Sequence, residues 1–325
     1  MVNDIQIKQK SMSPSKMSGK YRFVFAKSVL LLFWQFTFTA LSIYLSFSTL
    51  WPIWMLGQLL LGINMLQWFF ILHDLAHQSL FKSQAINAII GHIASIICLV
   101  PYYPWLYIHN AHHKWTGWKE KDPTIPDIKV EQLTGFQKRL IDLCWKYWIP
   151  IFAVNYTSQT FFNIKKLLDL YPKKETKFKN SFSIFWIIMV FVTLTFVLGP
   201  WLFLKLWALS FFIYISISDP LLISQHTHLD YNDLDKQNLR PVPFIDQPIF
   251  TRSVKYPRFI EQFLFYNFPK HGLHHQFPWV PIYHLPKLQE PKENTIFWTD
   301  WLAIAKTMPG HILIFKSTKD SGVKL

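Results

Sequence analysis

Histidine spacing is the most informative feature of this 325-residue chain. Of its 13 histidines, eight fall into three compact arrays: His73 and His77 in HDLAH, His109, His112 and His113 in HNAHH, and His271, His274 and His275 in HGLHH. A fourth element, QHTH, carries His226 and His228. On a helix, positions i, i+3 and i+4 share one face, so each array would present a row of imidazoles. A lone histidine on an apolar face is ordinarily a satisfied core residue, and three such arrays exceed that explanation. Imidazole is the commonest metal ligand and suits iron, zinc and copper. Eight or nine nitrogen donors are too many for one tetrahedral zinc and fit two metal ions. Soluble di-iron carboxylate proteins hold their metals with Glu-x-x-His pairs, and this chain contains none. An all-imidazole site brings no ligand charge, so other groups must compensate the cations. Asp74 beside His73 and Asp230 after QHTH are the candidates, because a ligating imidazole usually donates its other N–H to a carboxylate or carbonyl.

The elements that must position these rings are apolar. Hydrophobic residues make up 51% of the chain and charged residues 16%, against roughly 25% charged in soluble domains. Residues 28–72 include no charged side chain, and about 20 apolar residues cross a bilayer as a helix. The pattern predicts spans over 28–47 and 53–72, then a second pair over 182–198 and 201–224 separated by Gly199-Pro200. Residues 86–99 are apolar but short for a crossing and read as a re-entrant or interfacial helix; 143–168 mix aromatics with lysines around Pro150 and read as a broken interfacial helix. A further crossing would put the 73–77 and 109–113 arrays on opposite membrane faces. The fold expected is therefore an all-α integral membrane protein. Four transmembrane helices in two hairpins are capped by a cytosolic helical domain that carries the histidines. Residues 1–27 read as a disordered basic arm rather than a cleavable signal, and 28–325 as a single membrane domain.

Net charge is +14, and the first 27 residues hold six Lys or Arg against one acid, Asp4. The positive-inside rule then places both termini and the long middle segment in the cytoplasm, together with every histidine array. An anionic leaflet accounts for much of this basic charge, and docking of an acidic partner is the alternative. A bacterial inner membrane is preferred over the endoplasmic reticulum, and nucleic acid is not an expected partner. The ten glycines never form Gly-x-Gly-x-x-Gly or a phosphate-binding loop, so no nucleotide-binding signature is present. Cys98 and Cys144 make neither a disulfide framework nor a metal site.

The order His-x3-His, His-x2-His-His, His-x2-His-His resembles the membrane fatty acid desaturase family. HDLAHQSLF (73–81), HNAHHKWTGWKEKDP (109–123) and NFPKHGLHHQFPWVPIYHLPKL (267–288) are similar to its three boxes, and QHTH (225–228) to its element on the fourth span. The resemblance is closest to acyl-lipid desaturases. It implies that His73, His77, His109, His112, His113, His226, His271, His274 and His275 ligate two irons in a non-haem di-iron centre. His228 would join them if its segment unwinds, and Asn267 would act through a water or from just outside the ligands. His92, His284 and His311 lie outside the boxes and read as ordinary histidines. The implied reaction is O2-dependent insertion of a C=C bond into an acyl chain, with electrons from a ferredoxin or a cytochrome b5-like protein. A carotenoid ketolase or hydroxylase, or an alkane-type hydroxylase, would share the arrays. An intramembrane zinc protease is more remote, since HDLAH has Asp where that motif needs Glu.

Overall fold

The uncharged run near the N-terminus folds, in the computed structural model, as two long helices: α1 (Phe25–Ser46) and α2 (Trp51–Ala76). The structure describes residues 21–126, 128–232, 239–289 and 294–325; most of the expected basic arm, residues 1–20, lies outside them. Pro52 occupies the first turn of α2, where a missing N–H costs nothing. Next come α3 (Gln84–Cys98) and α4 (Tyr102–Trp115), bent by 100° at a short break. The mixed stretch around Pro150 is broken into α5 (Gly135–Tyr147), α6 (Phe152–Phe161) and α7 (Ile164–Leu170). Then α8 (Lys174–Leu198) and α9 (Pro200–His226) form the second long pair. Gly199 makes the turn between them at φ +77°, a conformation that only glycine adopts without strain.

α1, α2, α8 and α9 are each long and apolar enough to cross a membrane. Their limits differ from the hydropathy runs at two ends. α2 continues four residues beyond the expected 72, and so carries His73 on its last turn. α8 begins eight residues before the expected 182, through a charged turn in which Lys179 and Glu175 pair at 2.5 Å. Such i, i+4 pairs support a helix without apolar residues.

Beyond α9 the chain has little regular structure: a 3₁₀ turn (Phe244–Phe250), strand β1 (Ser253–Lys255), a π turn (Ile260–Leu264) and α10 (His271–Gln276). Strand β2 (Thr295–Phe297) pairs parallel with β1, Val254 opposite Ile296. Three short helices follow, α11 (Trp298–Ala305), α12 (Gly310–Phe315) and α13 (Thr318–Ser321). The chain divides into two compact units, one of Phe23–Ile108 with Phe152–Ser218 and one of His109–Ile151 with Asp219–Leu325, together with Tyr21 and Arg22.

In the first unit α2 is the central helix: 72% of its apolar window is buried, against 22% in α1 and 17% in α8. Two of its buried polar side chains, Gln58 and Asn64, bond to neighbouring helices. Gln58 Nε2 donates to Ser46 Oγ (3.0 Å) and to the Leu206 carbonyl (3.0 Å), while its Oε1 accepts from Ser210 Oγ (2.8 Å). Thr39 Oγ1 donates to Asn64 Oδ1 (2.9 Å) and accepts from Trp68 Nε1 (2.8 Å). Where helices meet in lipid, such polar links and small residues hold them together. At Gly62, α2 approaches α9 closely: a Cβ there would lie 2.8 Å from Ile213 Cβ and from the Ser210 carbonyl oxygen. Gly62→Ala is therefore expected to force α2 and α9 apart and to destabilise the protein by about 1–3 kcal/mol, seen as a lower melting temperature in detergent.

Candidate metal centre

Seven of the expected ligands lie in the second unit, on three elements. α4 carries His109, His112 and His113 on one face of its C-terminal turns. α10 carries His271, His274 and His275 in the same spacing, and His226 is the last residue of α9. A six-residue helix cannot hold its own orientation, and α10 is fixed from outside. Gly272 N donates to Ser253 Oγ (3.0 Å), and Val254 N to the Pro269 carbonyl (3.1 Å). Tyr266 and Asn267 just before it are left-handed (φ +48° and +63°), a turn secured by Asn267 N to the Glu261 carbonyl (2.7 Å) and by the Lys270–Glu261 ion pair (2.8 Å).

The seven rings meet through their Nε2 atoms. His113 Nε2 lies 3.1 Å from His109 Nε2 and 2.9 Å from His274 Nε2. His275 Nε2 lies 3.3 Å from His112 Nε2 and 3.1 Å from His271 Nε2, which is 2.5 Å from His226 Nε2. The ring nitrogens of His109, His113 and His274 lie within 4.8 Å of one another, as do those of His112, His226 and His275. Imidazole nitrogens about 2.0–2.1 Å from one ion are separated by distances of this order, so each trio has the spacing of a metal's ligands.

Groups behind the rings fix which nitrogen faces inward. His112 Nδ1 is 2.6 Å from Asp122 Oδ2, while Asp122 Oδ1 accepts from Thr124 N (2.9 Å) and Thr124 Oγ1 (2.7 Å). A carboxylate so placed keeps the proton on Nδ1 and turns the Nε2 lone pair inward. Gln247 does the same for His275. Its Nε2 donates to the carbonyls of His113 (2.7 Å) and Val242 (3.1 Å), so its Oε1 must be the atom 3.0 Å from His275 Nδ1. Burial, then the neighbouring rings of His113, His271, His112 and His226, hold the His275 pKa well below the usual histidine value, so that ring stays neutral and able to ligate.

Asp122, Thr124 and Gln247 were not singled out in the sequence. Asp122 lies within the HNAHHKWTGWKEKDP stretch, ten residues after His112, whereas Gln247 lies in the 3₁₀ turn Phe244–Phe250 with no motif around it. The acids chosen by adjacency fare differently. Asp230 Oδ1 accepts the Lys319 backbone N–H (3.0 Å). His228 Nε2 lies 2.7 Å from Ser321 Oγ and 3.1 Å from the Val323 carbonyl. Asn267 donates to the Ile282 carbonyl (3.3 Å), and its buried Oδ1 has no hydrogen-bond partner among the described residues. In the first unit, His73 and His77 stack edge to face on the end of α2 (5.0 Å between centroids), and Asp74 Oδ1 lies 3.5 Å from His73 Nδ1. His92 bonds to the Ala88 carbonyl (2.7 Å) and Ser183 Oγ (3.1 Å), and His311 to Asp142 (2.7 Å).

Asp122→Asn and Gln247→Leu are each expected to weaken metal binding by about 10–100-fold, measured by titrating metal-free protein with Co(II). His311→Ala should leave the same titration unchanged.

The fatty acid desaturase family matches residues 49–296 of this chain. An omega-3 fatty acid desaturase of soybean chloroplasts is 25% identical over 289 residues, 86% of this chain and 62% of the relative. An endoplasmic-reticulum acyl-lipid omega-3 desaturase (cytochrome b5) of Arabidopsis thaliana is 24% identical over 257 residues, 75% of this chain and 64% of that protein. An sn-1 oleoyl-lipid 12-desaturase of Picosynechococcus is 24% identical over 261 residues, 77% of this chain and 70% of the relative. The chain thus spans less than two thirds of the length of the soybean and Arabidopsis proteins. With the match running through all three histidine boxes, this chain belongs to the fatty acid desaturase family.

Proposed function

We propose that this protein is an O2-dependent acyl-lipid desaturase that holds two irons through nine histidines: His73, His77, His109, His112, His113, His226, His271, His274 and His275. The observation that carries this reading is the inward convergence of seven Nε2 atoms from α4, α9 and α10. Their donor chemistry fits iron, for which imidazole is a suitable ligand. His73 and His77 enter on the first box of the motif and on their placement at the end of α2.

When bound, the irons with O2, two electrons and two protons supply the oxidising power to remove two hydrogens from adjacent methylenes, leaving a C=C bond and two waters. The chain's own residues do the rest. Asp122 and Gln247 keep the Nδ1 protons of His112 and His275 in place, and Asp122 adds the negative charge that an imidazole set lacks. The four apolar helices anchor the protein in the lipid that contains its substrate. Position of attack follows from how the acyl chain is held against the metals, since orientation selects the reacting carbon.

The basic residues within 1–27 and in the middle segment support, by the positive-inside rule, a cytoplasmic side for the histidine arrays and both termini; the membrane proposed is a bacterial inner membrane. Relatives are named for ferredoxin or for cytochrome b5. A small acidic electron carrier of that kind would be steered to the basic face, with salt slowing the encounter.

Expression in a host with a defined lipid composition should yield fatty acids lighter by two hydrogens, read by gas chromatography–mass spectrometry. Products heavier by one oxygen would make the protein a hydroxylase instead. Stripping the metal with a chelator is expected to abolish the product, with Fe(II) restoring it and Zn(II) failing to.

A further inference from the structure

The end of α9 is gripped by a buried cation. Arg252 is 1% exposed, and among the described residues its guanidinium donates to backbone carbonyls. Nη1 donates to Ser224 O (2.8 Å) and Thr227 O (3.1 Å), Nη2 to His228 O (3.3 Å), and its own backbone N to Gln225 O (2.9 Å). These four bonds bracket His226 on both sides. The last carbonyls of a helix have no partner within it and carry the negative end of its dipole, so a guanidinium there meets both needs. Burial pushes the Arg252 pKa down to about 10, which leaves the group charged at neutral pH.

A second grip comes from the C-terminal turn. Thr318 Oγ1 donates to the same His228 carbonyl (3.1 Å), and His228 Nε2 reaches Ser321 Oγ (2.7 Å) and Val323 O (3.1 Å). Lys319 N bonds to Asp230 (3.0 Å). Between the two grips, His228 takes a left-handed backbone (φ +57°), which a non-glycine residue adopts only when its surroundings hold it there.

His226 needs such support more than the other rings. His109, His112 and His113 lie on the body of α4, and the box on α10 is pinned by β1. His226 stands on the final residue of its helix, where the backbone frays, and a metal ligand must be placed to within about 0.2 Å. We propose that Arg252, backed by the turn over 318–323, is the positioning residue that makes His226 a metal ligand. The proposal rests on the di-iron reading above.

The test uses the full chain in detergent, freed of metal and titrated with Co(II), with binding affinity and the cobalt absorption spectrum as readouts. His226→Ala sets the signature of losing one imidazole. Arg252→Gln should reproduce that spectral change and weaken binding by about 10–100-fold, and Arg252→Gln combined with His226→Ala should be no weaker than His226→Ala alone. Arg252→Lys keeps the charge but loses the forked donor geometry, and should fall between wild type and Arg252→Gln. Should Arg252→Gln fail to fold, Arg252→Lys and Ser321→Ala carry the test, each expected to shift the spectrum in the same direction. Wild-type affinity and spectrum in those two variants would overturn the role of Arg252, as would losses in the double variant that simply multiply. If the wild-type protein binds no metal at this cluster, the di-iron reading falls first and this inference with it.

Discussion

Unprotonated ring nitrogens aimed at one another repel, and seven imidazoles meeting Nε2 to Nε2 inside a protein make that conflict acute. A proton shared between two rings can relieve one pair; a cation relieves several at once. The surroundings of the cluster are arranged for the second solution. Asp122 and Gln247 accept from the outward Nδ1 atoms of His112 and His275, which leaves their inner nitrogens as acceptors only. Burial suppresses protonation of His275. The same water-poor interior that makes the lone pairs costly in the free protein would strengthen every bond they form to a metal.

Much of this was legible in the sequence because two periodicities are local. Apolar runs of helix length give the four spans without reference to any other part of the chain, and i, i+3, i+4 histidines give the shared faces of α4 and α10. What the sequence leaves unmarked is set by tertiary contacts. Asp230 follows its histidines in sequence, and its carboxylate accepts from Lys319. Asp122 is ten residues from His112 and reaches it only because the chain turns back after α4. Gln247 and Arg252 sit in irregular backbone where neither period nor motif marks them, and their roles come entirely from what folds against them. Helix limits slipped for a related reason: α8 extends through a charged turn that hydropathy cannot see.

The short elements after α9 show how irregular backbone can be made exact without a large core. β1 and β2 together supply only three paired residues each, yet β1 sets α10 through Ser253 and Val254 and is followed by a turn locked by Glu261. The third box therefore depends on tethers rather than on helix length.

The polar interior of α2 bears on how the protein is made. Gln58 finds Ser46 on the helix synthesised just before it, but its other partners, Ser210 and the Leu206 carbonyl, come about 150 residues later in the chain. Until α9 emerges, only one Gln58 N–H has its partner, and the other N–H and the Oε1 are unmatched, a cost that burial in apolar surroundings makes large. Arrival of α9 closes the amide's last bonds, so the helix that brings in His226 also completes the bundle.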